Sequence, residues 1–127
     1  MEYTAVIILL ALAQYLYFSL RVGAGRARYG VEAPHTSGNE NWERLFRVQQ
    51  NTLEQLVIFI PAMALFGMYL SARWVLLPGL LFLVGRQLYA YEYVKNPKSR
   101  GPGMGLTLLA NVALVIGALI ALALKLL

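Results

Sequence analysis

Residues 40–70, ENWERLFRVQQNTLEQLVIFIPAMALFGMYL, decide how the chain is read. The first half carries Glu40, Arg44, Arg47, Asn51 and Glu54 at spacings of four, three, four and three, which keeps them near one face of a helix. The second half, from Leu56 to Leu70, is apolar apart from single glycine, proline and tyrosine residues. A helix of this kind drives a polar stripe into the edge of an apolar layer. Pro61 is expected to bend it beyond the stripe, as membrane helices tolerate.

Outward from this segment the pattern repeats. Of 127 residues, 59% are hydrophobic and 13% charged, whereas a soluble domain carries roughly a quarter charged. About 20 apolar residues cross a bilayer core. We therefore expect a single domain over residues 1–127, with spans at about 3–26, 42–70, 74–95 and 104–126. The fold class expected is all-α, an integral membrane four-helix up-down bundle. The turn at Ser71–Arg73 is short enough to make the second and third helices antiparallel neighbours. The glycines Gly101, Gly103 and Gly105 follow no strand and read as a flexible connection. Gly79, Gly85, Gly117, Ala118 and Ala121 read as sites of close helix packing.

In such a bundle nine of the eleven Lys and Arg fall at one end: Arg21, Arg26, Arg28, Arg44, Arg47, Arg86, Lys95, Lys98 and Arg100. The positive-inside rule puts that end at the cytoplasmic face and both termini on the opposite side. It also accounts for the net charge of +5 without nucleic acid, for which no recognition module is visible. The first apolar run ends in arginines with no small-residue cleavage site, so a retained span is expected, not a signal peptide. Cysteine is absent and His35 is the lone histidine, which removes thiolate ligands, a cysteine nucleophile and a Ser-His-Asp triad; no metal site is expected.

Charges at membrane depth cost about 2.5–3.5 kcal/mol each on insertion scales and normally face a bundle interior or a wet cavity. The stripe on the second helix is compatible with an Arg–Glu packing network or with a site for a charged ligand. On the third helix Arg86, Tyr89 and Tyr93 share a face, and Arg100 opens the fourth at the same level. The tyrosines alone fit an interfacial belt. Together the set suits a ligand with two carboxylates and an ammonium, the arginines forking onto carboxylates and Glu54 and Asn51 accepting from N–H groups.

Two segments, residues 43–54 (ERLFRVQQNTLE) and 85–93 (GRQLYAYEY), carry a resemblance to the membrane-associated proteins in eicosanoid and glutathione metabolism, the MAPEG family. The chain is most similar to the microsomal glutathione transferases of types two and three, over essentially its whole length. The resemblance implies a homotrimer with glutathione, as co-substrate, at each subunit interface. It implies that Arg47, Asn51, Glu54, Tyr89 and Tyr93 contact glutathione, that Arg26 and Gln49 reach it from the neighbouring subunit, and that Arg100 is catalytic, holding the sulfur as thiolate. Ala27, Gln55 and Gly101 depart from the leukotriene C4 and prostaglandin E synthases and favour a broader transferase or peroxidase. The implied partners are membrane lipid and a lipophilic electrophile or lipid hydroperoxide. A non-catalytic lipid-binding protein like the five-lipoxygenase-activating protein is the alternative, and a scaffold protein a third reading.

Overall fold

The computed structural model describes all residues, Met1–Leu127, and contains four long helices. They are α1 (Glu2–Tyr29), α2 (Glu40–Tyr69), α3 (Leu76–Lys95) and α4 (Gly101–Leu126), with a single 3-10 turn at Pro97–Ser99 before α4. Helix α1 runs one turn past the expected span and stops at Gly30, whose φ of 70° is the left-handed conformation that glycine adopts without a Cβ penalty. Asn39 starts α2, its side-chain oxygen accepting from the Trp42 N–H at 3.1 Å. Between α2 and α3 the Ser71 hydroxyl accepts from the N–H groups of Arg73 and Trp74. Helix α2 continues through Pro61.

Helix α1 packs on α2 and α3, α4 packs on α3 and α2, and α2 also touches α3. The core between them holds Ile7 and Ala11 from α1, Phe59 and Met63 from α2, Phe82 from α3 and Leu114 from α4. The rings of Phe59 and Phe82 stack with centroids 3.7 Å apart. Without a hydrophobic force between helices in lipid, close van der Waals packing must hold the bundle, and small residues permit it. A Cβ on Gly79 would press on Ile7 and Met63, and one on Gly117 on the Phe66 ring.

One expectation is corrected. Gly101, Gly103 and Gly105 are not a flexible connection but form the first turns of α4. Gly103 lies directly against the backbone of Tyr89, where any Cβ would fall on the Tyr89 N and Cα atoms. Gly85 makes the reciprocal approach from α3, against Leu106 and Thr107. These two glycines bring α3 and α4 together at the level of the polar stripe.

Three helical stretches are long and apolar enough to cross a membrane: Glu2–Tyr29, Glu40–Tyr69 and Pro97–Leu126. Helix α3 falls outside that set, since Arg86, Gln87, Glu92 and three tyrosines interrupt its apolar run. Arg86 and Tyr89 are tolerated there because they turn into the bundle.

Candidate functional site

Arg86 is the hub. It is fully buried, and every hydrogen bond it donates goes to a neutral acceptor. Its Nε donates to Thr107 Oγ1 at 3.0 Å, one terminal nitrogen to Asn51 Oδ1 at 2.7 Å and Thr52 Oγ1 at 3.3 Å, and the other to Met104 Sδ at 3.1 Å. The guanidinium carbon sits 4.5 Å from the centre of the Tyr89 ring. One side chain therefore ties α2, α3 and α4 together. No carboxylate is paired with it; the ion pairs in the chain are Arg44–Glu40 at the start of α2 and the amino terminus with Glu2. The Arg–Glu network considered from the sequence thus shrinks to one exposed i,i+4 pair, worth a few tenths of a kcal/mol (~0.3–0.5).

One turn above Arg86, Tyr89 stacks on Tyr93 with centroids 5.4 Å apart. The Tyr89 ring lies between the Arg86 guanidinium and the Tyr93 ring, and its backbone meets Gly103 at the start of α4. Arg47 and Arg100 are exposed, and neither bonds to any acceptor in the chain. Glu54, on the same face of α2 two turns beyond Arg47, is also exposed and has no cation within ion-pair distance. The result is one buried arginine, two exposed arginines and one exposed carboxylate, none with a counter-charge in the chain.

Asn51 is already engaged within the chain: its carbonyl oxygen accepts from Arg86, which uses one of the oxygen's two lone pairs. A guanidinium only donates, which fixes the amide oxygen toward Arg86 and leaves Nδ2 as the unpartnered end.

Arg26 and Gln49 do not join this cluster within one chain. Arg26 lies over the Trp42 ring, 4.5 Å from its centre, and donates to the carbonyl of His35 at 2.8 Å. Gln49 donates to Ser19 Oγ on α1 at 3.0 Å. Two residues along a helix turn about 200°, so Gln49 faces α1 while Arg47 and Asn51 face α3 and α4. The seven residues expected to contact one ligand are divided by the fold between two sides of α2. Thr52, Thr107 and Met104, which complete the Arg86 shell, give no signal in the sequence, because a threonine or methionine in an apolar helix is unremarked. No group of three or more His, Asp or Glu side chains is placed to hold a metal ion.

Residues 4–120 match the MAPEG family. The chain belongs to that family. The chain is similar to an uncharacterized protein of Synechocystis (sll1147), 44% identical over 91% of this chain and 85% of its own. Human microsomal glutathione S-transferase 2 is 35% identical over 91% of this chain and 79% of its own. Rat leukotriene C4 synthase is 32% identical over 76% of this chain and 64% of its own. With three apolar spanning helices and MAPEG membership, the chain is an integral membrane protein.

Proposed function

We propose that this MAPEG protein is a membrane glutathione transferase, with peroxidase capacity, that binds glutathione and activates it as a thiolate. The observation that carries this reading is the packing of Arg86 and Tyr93 against the Tyr89 ring, at a level of the bundle where Arg47, Arg100 and Glu54 all lack partners in the chain. Two free cations and one free carboxylate suit a carboxylate, the thiolate and the ammonium of glutathione. Arg47 forks onto a carboxylate, Glu54 takes the ammonium, and Tyr89, Tyr93 and Asn51 hold the peptide between. Arg100 lies beside the sulfur, where a guanidinium favours the thiolate over the thiol and the released proton goes to water. Relatives named for glutathione transfer and leukotriene C4 synthesis support the same reading.

The division of the expected set across α2 supports assembly as a homotrimer. Arg26 and Gln49 of one protomer then complete the cluster of the next, and each site sits between two subunits. The site opens to the cytoplasmic face, with both termini on the other side. Glutathione enters from water and the lipophilic partner from the bilayer, so that an encounter in two phases becomes a local reaction. In conjugation the thiolate forms a C–S bond as the leaving group departs with its electron pair. In peroxide reduction two glutathiones give one disulfide, and the hydroperoxide becomes an alcohol and water.

The test uses the purified protein in detergent. Adding glutathione near neutral pH should raise the ultraviolet absorbance of a thiolate, and an aryl halide and a lipid hydroperoxide should then each be turned over. Bound glutathione with no turnover in either assay would replace this reading with a lipid-binding protein. Absence of both binding and turnover would remove glutathione altogether.

A further inference from the structure

Arg86 is buried among neutral acceptors with no counter-ion, an arrangement that costs free energy. Its shortest hydrogen bond, 2.7 Å, is to Asn51 Oδ1. Thr107, which accepts from Arg86 Nε, is itself anchored by donating to the Gly103 carbonyl at 2.9 Å, so the guanidinium plane is held from the α4 side. The Tyr89 ring covers one face of it. Arg86 is thus fixed on three sides, and the remaining edge determines which way the Asn51 amide turns. Asn51 is half-buried, its Nδ2 has no hydrogen bond in the chain, and it lies on the helix face that carries Arg47 and Glu54.

We propose that Arg86 is a positioning residue that fixes Asn51 as a hydrogen-bond donor, so that the ligand group opposite Asn51 is an oxygen acceptor, a peptide carbonyl or a carboxylate. The inference rests on the glutathione reading above and adds to it the polarity of one contact. Arg86 itself does not touch the ligand; it acts through the amide. An asparagine that was free to rotate would offer oxygen and nitrogen alike and would discriminate little. Held by a donor-only group, it turns its Nδ2 donor toward the ligand at that point.

Asn51→Asp separates this role from a structural one. It gives Arg86 a carboxylate partner of nearly the same shape, and it removes the donor. We expect Asn51→Asp to melt no lower than wild type in detergent while losing glutathione affinity by about tenfold or more, measured by calorimetry. A second measurement is the double-mutant cycle of Arg86→Lys with Asn51→Ala. If Arg86 acts through the amide, replacing Asn51 costs less affinity in the Arg86→Lys background than in wild type. Wild-type affinity in Asn51→Asp, or strictly additive effects in the cycle, would overturn the proposal. Should the wild type bind no glutathione, the function reading fails and melting decides this one alone. An Asn51→Asp variant as stable as wild type upholds the Arg86–Asn51 relationship, and a less stable one rejects it.

Discussion

Thr107 Oγ1 lies 3.0 Å from Arg86 Nε and donates in turn to the Gly103 carbonyl, linking the buried cation to the first turns of α4. Through this hydroxyl Arg86 is tied to α4, the helix that Arg100 precedes. Thr107→Val keeps the shape and removes the hydroxyl. It leaves a buried N–H of a charged group unsatisfied, which costs about 1–3 kcal/mol. The expected result is a lower melting temperature in detergent, with weaker glutathione binding as the α3–α4 contact loosens.

Gly103→Ala places a methyl group on the backbone of Tyr89, which cannot move aside as a flexible side chain can. Helices α3 and α4 must separate, so we expect severe destabilisation and loss of glutathione binding together. Gly105→Ala meets nothing within 4 Å and exchanges a poor helix former for a good one. It should raise stability slightly, by about 0.4–1 kcal/mol. Equal effects at Gly103 and Gly105 in thermal unfolding would contradict the packing assigned to Gly103.

Arg47 bonds to nothing in its own chain, so removing it should leave the monomer fold intact. Arg47→Ala is expected to weaken glutathione binding by about tenfold or more, the loss of a charge-assisted hydrogen bond, with the melting temperature of the ligand-free protein unchanged. Unaltered affinity would take Arg47 out of the site. Arg100→Ala should instead abolish the thiolate absorbance at saturating glutathione, which separates binding from activation.

Arg26 and Arg47 stand on opposite sides of α2, and this makes the proposed shared site testable by mixing. Arg26→Ala and Arg47→Ala protomers should each be impaired as pure trimers. Co-expressed, they should regain part of the wild-type rate, because some interfaces then pair an intact Arg47 with an intact Arg26. No recovery in verified mixed trimers would place the whole site within one chain.

The helical, membrane-spanning character is legible in the sequence because it rests on local quantities. A run of apolar residues, a period near 3.6 and the length of the bilayer core act over one helix at a time, so they place α1, α2 and α4 to within a few residues. The stripes holding Arg47, Asn51, Tyr89 and Tyr93 are legible for the same reason. The glycines that open α4 are not, because a Gly-Pro-Gly run looks like a loop until the neighbour it packs against is known.

What the sequence by itself determined, then, is which residues lie on which helical face and that the chain forms four helices. Only the tertiary structure decided that Gly103 abuts Tyr89, that Arg86 is enclosed by Thr52, Thr107 and Met104, and that the Asn51 oxygen accepts from Arg86. It also decided that Gln49 turns to Ser19, away from Arg47. The reason is physical: periodicity fixes direction around one axis, whereas the pairing of a donor with an acceptor depends on how closely two axes approach. In lipid that approach is set by where the side chains are absent.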